Sequence, residues 1–425
     1  MPTVNDVFGT RGRGNPLAYV VRDVERQFKE ALTNPVYEAV VLYGTSKQGK
    51  SSLRRSVLPN ESCTFVTATN RMTREGLYRE ILNSAGARGK QTRETQKKTE
   101  AAGKLAFNPF KWLFGIKTPI DASVEYKRES RDGTTAEDIE VDYAIASAVA
   151  RKYQEVADSK PIVIDNFHHI ERDLQRDLAT DIRAFGEIGV KIVILGTWAA
   201  QVYLQRLNSD LVGRMAAIST EPWEDADLMR ILDTGETLLN VRFSAKVKEA
   251  LVERCAGSVS LVQNAAQRYL TSLQIVETLP SRRFVDDSRR LTEIIRAMAQ
   301  ELIDTTTERF KMMSSIGEPW IGNHTRMRWL IRSYLSQKQA EFVEGVPFDR
   351  IVSGANTLLA REGHQETLTR PVAAPLIKSR MLEEQQKKYQ TPIIAYDEFQ
   401  DRVITVDSWT LFTLRRHRME ICDAL

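Results

Sequence analysis

The stretch Gly44-Thr45-Ser46-Lys47-Gln48-Gly49-Lys50-Ser51-Ser52, GTSKQGKSS, decides how this chain folds. It fits the pattern G-x-x-x-x-G-K-[ST], with Gly44, Gly49, Lys50 and Ser51 at the fixed positions. Glycines let such a loop wrap closely around phosphates, so that backbone N–H groups point inward. The helix predicted to begin near Lys50 directs its positive dipole end at the same anion. Lys50 is placed to reach the β- and γ-phosphates of a nucleotide, and Ser51 to ligate Mg²⁺. The β-rich run YEAVVLYG (37–44) precedes the loop and a helix-compatible run follows it, which is the strand–loop–helix context the motif requires.

Strand and helix signals alternate beyond it. CTFVTAT (63–69) reads as a strand, and TREGLYREILNSAG (73–86) as a helix with glycine just past its end. After an interruption the pattern resumes with a helix at 136–157, a strand at 161–165, a helix at 171–187 and the strand VKIVILGT at 190–197. Such alternation predicts βαβ units, a parallel sheet and an α/β fold class. The segment IVIDNFHH (162–169) ends its apolar run in Asp165, and a phosphate-bound magnesium needs a carboxylate at the end of a neighbouring strand. A zinc site at His168 and His169 is disfavoured. Adjacent histidines point in different directions, and no cysteine or third histidine lies at ligand spacing. Either one packs on the sheet while the other faces solvent, or one of them positions water or senses the terminal phosphate.

The 425 residues are enough for two or three domains, and 42% hydrophobic with 27% charged residues is ordinary globular composition. No apolar run approaches the roughly 20 residues that cross a bilayer, and the N-terminus has no charged-then-apolar signal, so no membrane partner and a cytoplasmic location are expected. Cys63, Cys255 and Cys422 are too scattered for a disulfide framework or a zinc site. The net charge of +4 is too small to establish nucleic-acid binding by itself. GTRGRGNP suggests that residues 1–16 form a flexible basic arm, and a helix is predicted from about Leu17 to Leu32. The interruption at 87–135 carries Arg88, Lys90, Arg93, Lys97, Lys98 and Lys104, then the aromatic cluster FNPFKWLFG (107–115). It reads as a hydrophobic insertion on the core or as an element contacting DNA or a partner. From 223 to 312 the signal is mostly helical. The region 320–425 holds several helices and a hairpin signal in PIIAYDEFQDRVITVD (392–407).

In this order and spacing the segments resemble an AAA+ P-loop ATPase of the origin-recognition and STAND-like type, such as occurs among bacterial ATP-binding proteins. AYVVRDVERQF (18–28) is similar to the segment that contacts the adenine base in that family, which implies Tyr19 and Val20 as base contacts. VKIVILGTW (190–198) resembles the strand of the first sensor, implying Thr197. NSDLVGRMAAISTEPW (208–223) resembles the arginine-finger segment, implying Arg214. DLMRILDTGETLLNVRFS (227–244) and CAGSVSLVQNAAQRYL (255–270) look like the helical lid. The resemblance implies a P-loop NTPase sheet of AAA+ type at 17–222, a lid at 223–312 and a winged-helix-like domain at 320–425. Two positions depart from the family. Asn166 stands where a glutamate usually polarises the attacking water, and Ser260 where many members carry a second-sensor arginine. An amide orients water but cannot take its proton, so slow hydrolysis is expected.

The resemblance thus implies an ATP- and Mg²⁺-dependent ATPase that acts as a nucleotide-gated, homo-oligomerising switch. The loop 44–52, Ser51, Asp165, Asn166, Thr197 and Arg214 would form its working parts, with Arg214 completing a neighbour's site. The roles that the resemblance implies are anti-phage defence, transposition or replication control, with DNA or a separately encoded effector as partner. The alternative is a DNA-binding initiator or adaptor whose ATP is structural. Lys378, Arg380, Lys387 and Lys388 in 370–389 and LRRHR (414–418) supply positive charge, diluted by Glu383 and Glu384. A kinase sharing the loop is disfavoured, because no second substrate site is visible.

Overall fold

The apolar runs pair into one parallel sheet formed by β1 (Ala39–Tyr43), β2 (Thr64–Thr67), β3 (Ile162–Asp165), β4 (Ile192–Leu195) and β5 (Met215–Ser219), in the order β2-β3-β4-β1-β5. The structure, a computed structural model, describes residues 1–9, 17–87, 141–158, 160–196, 211–389, 392–398 and 400–425. Helices cover both faces of the sheet, which is why β1 reads AVVLY and β4 reads IVIL without alternation. The chain first forms α1 (Val4–Phe8), α2 (Asp23–Thr33) and α3 (Lys50–Val57), and Val24, Phe28 and Leu53 of the last two bury against Val40 and Leu42. On the other face lie α4 (Arg74–Ser84), α5 (Ala146–Ala157) and α6 (Arg172–Gly186), which pack Tyr78, Tyr153 and Phe185 onto Val41, Ile164 and Ile194. Asp181 of α6 receives both Arg74 Nε and Nη2 at 2.7 Å together with the Tyr78 hydroxyl, tying α6 to α4.

Register decides where chemistry can occur. Val41 lies opposite Ile194 on one side and Ala217 on the other, so β1 is flanked by β4 and β5. The chain leaves β1 for β2 and returns through β3 and β4. The crevice above the C-terminal end of β1 is therefore a topological switch point, where open α/β sheets bind ligands. Asp165 ends β3 at the same edge, opposite Thr67.

Beyond β5 come α7 (Asp225–Leu239), α8 (Ala245–Arg254), α9 (Val259–Ser272) and α10 (Ser288–Ser314), with a two-stranded parallel pair, β6 (Val241–Phe243) and β7 (Arg283–Val285). Leu228, Leu232, Val262 and Tyr269 are fully buried among these helices. Residues 1–9 correct the flexible-arm expectation. Thr3 and Asp6 form a capping box, and Val4, Val7 and Phe8 are 2%, 0% and 0% exposed in the same helical core. The remaining residues of that arm, 10–16, lie outside the described residues, as does nearly all of the 87–135 interruption. The helix expected from Leu17 starts only at Asp23, because Arg22 is extended and its side chain bonds to the carbonyls of Thr220 and Pro222.

The last part runs β8 (Pro319–Ile321), β9 (His324–Thr325), α11 (Arg326–Leu335), β10 (Val346–Pro347) and α12 (Phe348–Arg361). Then α13 spans 370–389, helical at Arg370–Pro375 and Met381–Tyr389 with a π turn at Leu376–Arg380 between them. The antiparallel hairpin β11 (Ile394–Asp397) and β12 (Arg402–Thr405) adds β10 at the free side of β12, and α14 (Ser408–Asp423) ends the chain. Trp329, Phe348 and Ile394 centre this core. Helix α14 bridges two cores, since Phe412 buries among the helices after β5 while Leu414 and Ile421 bury in the last core.

Candidate functional site

The loop 44–52 leaves β1 at the switch point and enters α3 through Gly49, which caps that helix in a left-handed conformation at φ 83°. A Cβ on Gly44 would stand 2.5 Å from Thr220 Oγ1, so a side chain at that glycine is excluded by the neighbouring strand. Lys50 turns its Nζ inward onto the carbonyls of Gly44 at 3.0 Å and Thr45 at 2.6 Å, holding the loop closed on itself. Burial pushes the Lys50 amine down to about 8, opposed by the charges of Glu221 and Asp165. The first turn of the loop is pinned by Glu221, whose carboxylate accepts Thr45 N–H at 2.7 Å and the Thr45 hydroxyl at 2.5 Å.

Above the loop lies a cleft of about 290 Å³. Its polar end is formed by Lys47, Gln48, Gly49, Lys50, Ser51, Ser52 and Arg55, and its apolar end by Ala18, Tyr19, Val20, Ile231 and Val259. A cation-rich end joined to an apolar end suits a phosphorylated molecule carrying a flat, weakly polar group. The structure puts Tyr19 and Val20 on the cleft wall, and Tyr19 donates its hydroxyl to Glu25 at 2.9 Å. Burial raises that hydroxyl to about 12, so it stays protonated.

Asp165 stands two strands from the loop, close enough for the charges of Lys50, Arg54 and Arg55 to act on it. Burial lifts its carboxyl above the ordinary value, against those cations and the Asn166 N–H, which donates to Asp165 Oδ1 at 2.9 Å. Asn166 itself is left-handed at φ 59° and opens the short turn Phe167–His169. Asparagine tolerates that conformation better than glutamate does. Among the described residues no three His, Cys, Asp or Glu side chains gather as a metal cluster. The rings of His168 and His169 lie 4.1 Å apart, and burial with the neighbouring His169 and Lys50 charges pushes His168 down to about 3. His168 is therefore neutral at physiological pH and a weak base, suited to orienting water more than to deprotonating it.

That burial has a measurable consequence. A base whose folded pKa is depressed leaves stability intact above the unfolded value and loses it as pH falls toward the folded one. For His168 the window opens near 6.5 and extends down toward 3. Denaturant unfolding is expected to show a loss of order 2 kcal/mol between about pH 7 and about pH 5, with a shallower slope in His168→Gln. An unchanged slope in that variant would show the imidazole to be solvated.

Thr197 falls outside the described residues. Arg214 immediately precedes β5, at the end of the sheet opposite the loop, where its guanidinium pairs with Glu38 at 2.7 Å and its carbonyl accepts Glu38 N–H at 2.7 Å. It does not reach its own chain's cleft. Several cleft residues escaped the sequence reading. Arg22 stacks on Trp223 at 3.9 Å, and Trp223 donates Nε1–H to the Gln48 carbonyl at 3.3 Å. Ser260, where the arginine is missing, accepts Trp409 Nε1–H at 3.1 Å. The Trp409 ring, from the start of α14, also lies 3.6 Å beneath the Lys47 ammonium.

No protein-family model matches the sequence, and no curated protein matches it. Solved structures do. A Walker-type ATPase of Pyrococcus abyssi aligns over 93% of this chain and 95% of its own, with a TM-score of 0.52 at 16% identity. Cdc6p of Pyrobaculum aerophilum covers 100% and 99% with a TM-score of 0.41 at 12% identity. The RuvB Holliday junction branch migration motor of Thermotoga maritima covers 93% and 95% with a TM-score of 0.41 at 13% identity. The first of these likenesses, together with the strand order and the loop at its switch point, shows the fold: a parallel five-stranded P-loop sheet with flanking helices, as in a Walker-type ATPase.

Proposed function

We propose that this chain binds ATP with Mg²⁺, hydrolyses it slowly and uses the nucleotide to set the position of its C-terminal helix. The single observation that carries this reading is the closed loop 44–52, with the buried Lys50 amine turned into it, at the phosphate end of a cleft whose other end is apolar. The phosphates would bind the loop N–H groups and Lys50, while Tyr19 and Val20 flank the base. The residues present fit magnesium. The Ser51 side chain lines the cleft in the first turn of α3, and Asp165 is an anionic group within the field of Lys50 and Arg55. Bound there, the ion would neutralise charge on the terminal phosphates. Asn166 would orient water without taking its proton. Asn166→Glu is expected to raise turnover at least roughly tenfold in a phosphate-release assay, since a general base contributes more than that. An unchanged rate would place position 166 away from the water.

The contact between Lys47 and Trp409 gives the gate its physical form. Phosphates entering the loop compete with the Trp409 ring for the Lys47 charge, and an adenine ring competes for space beside Ser260 and Val259. ATP would then loosen α14, and assembly would follow with Arg214 reaching a neighbouring copy's site once released from Glu38. Sizing the full chain with ADP and with a non-hydrolysable ATP analogue tests this. The analogue is expected to drive oligomerisation, Trp409→Ala to lower the analogue concentration required, and Arg214→Ala to abolish the response. A size that neither nucleotide changes would sink the switch.

A second reading rests on the order of the last elements. Helix α11, strand β10, helices α12 and α13 and the hairpin β11–β12 follow the succession of a winged helix, and Lys378, Arg380, Lys387 and Lys388 of α13 are all exposed. Under this reading the chain is a DNA-binding initiator or adaptor, and ATP is structural. Salt-sensitive duplex binding that survives Lys50→Ala would favour it. A separately encoded effector and roles in phage defence, transposition or replication remain compatible with either reading.

A further inference from the structure

A second concavity, of about 1000 Å³, opens between the helices that follow β5 and the last helix, away from the loop 44–52. Arg254 from the end of α8, Arg296 from α10, and Arg415, Arg416 and His417 from α14 line it, with Glu253 as the lining carboxylate. Their hydrogen bonds leave positive charge unanswered. Arg254 donates to the Thr292 hydroxyl at 2.8 Å, and Arg416 to the carbonyls of Phe412 at 3.2 Å and Arg254 at 3.0 Å. Among the described residues, Arg415 Nε and His417 Nε2 have no hydrogen-bond partner and are shut off from solvent. His417 Nδ1 faces Glu420 at 3.0 Å. Among the described residues, no ion pair joins any of the four arginines of the cleft to a carboxylate, Glu253 included.

Crowding like charges at partial burial costs free energy that an anion would remove. Burial lowers the Arg415 and Arg416 guanidinium pKa values, and Arg415 and Arg254 press Arg416 further down. Planar guanidinium forks match phosphate oxygens bidentately, which a set of lysines would not. The volume lies at the upper end of small-molecule sites, and a recess between helices admits a compact ligand more readily than the side of a duplex. We propose that this arginine-lined cleft binds a compact, soluble ligand carrying two or more phosphate groups. The site is separate from the nucleotide cleft and does not depend on the function proposed for it. Because α14 carries both the cleft arginines and Trp409, an occupant would fasten the helix to its neighbours and stabilise the Trp409 contact with the loop.

The test uses full-length Lys50→Ala protein, in which the loop is disabled as a competing phosphate site, titrated calorimetrically with inorganic tripolyphosphate. One binding site is expected. Adding Arg296→Ser and Arg415→Ser together should weaken it at least roughly tenfold, and Arg415→Lys by a smaller factor, because the charge survives but the fork is lost. Near-ultraviolet circular dichroism checks that each variant is folded. Gln300→Glu, which adds negative charge without removing an arginine, should also weaken binding. Absence of tripolyphosphate binding, or equal affinity in the folded double variant or in Gln300→Glu, overturns the proposal. So does duplex or single-stranded DNA binding that depends on the two arginines in protein that ignores tripolyphosphate, since the cleft would then be a nucleic-acid contact.

Discussion

Lys50→Ala is expected to raise the dissociation constant for ATP at least roughly 100-fold, the largest single effect on binding in the chain. The amine is buried, bonds among the described residues only to the Gly44 and Thr45 carbonyls, and has burial acting against its charge. Phosphates would supply the counter-charge that burial withholds, so the gain on binding exceeds that of an exposed lysine. Removing the amine loses that gain and also frees the loop carbonyls from their internal clasp. Equilibrium titration with a fluorescent ATP analogue checks the value. Affinity retained within about threefold would mean that the cleft does not use the loop as a phosphate cradle.

The same group sets a pH dependence. Its value of about 8 in the free protein is raised once anionic phosphates lie beside it. Affinity should therefore be level below about pH 8. Above it, binding must take up a proton, and the dissociation constant should climb toward tenfold per pH unit until the bound-state value is reached. Lys50→Ala should abolish that slope as well as the affinity, which separates this amine from other groups titrating in the range.

The sequence made the loop legible because its requirement is local. Gly44 and Gly49 are needed for backbone geometry, and Lys50 follows from its fixed offset. Asp165 was legible for a similar reason, as the first charge after an apolar strand. Trp409 was not, because it reaches the loop only after the entire C-terminal domain has folded and α14 has returned across the helices after β5. Glu221 and Arg22 belong to no local motif: Glu221 meets Thr45 because β5 pairs with β1, and Arg22 meets the carbonyls of Thr220 and Pro222 across about 200 residues of sequence. The N-terminal segment is different. Thr3 to Asp6 has capping-box spacing and Val4, Val7 and Phe8 have helical spacing, so the helix is encoded locally, beside a glycine–arginine run with the composition of a flexible arm.

That helix bears the largest stability effect. Phe8→Ala is expected to cost about 3 kcal/mol in denaturant unfolding, in the range for emptying a fully buried aromatic site. The reason the ring fits is Gly235 of α7, where an added Cβ would lie 2.0 Å from Phe8 Cζ and 2.8 Å from both Cε atoms. In an open helix glycine to alanine would stabilise by about 1 kcal/mol. Here Gly235→Ala should instead destabilise, since ring and methyl cannot share the space. Combined with Phe8→Ala, however, the same methyl partly fills the void, so the double variant should be more stable than the sum of the single changes predicts. Additive losses would mean that the ring does not sit on Gly235 in solution. The effect should extend to the cleft. Leu17 N–H bonds to the Asp6 carbonyl at 2.9 Å and Ala18 N–H to the Val7 carbonyl at 3.3 Å, so α1 holds the segment that presents Tyr19 and Val20. Phe8→Ala should therefore weaken ATP binding several-fold while leaving the Lys50-dependent pH slope intact, because it loosens the base wall and not the phosphate loop.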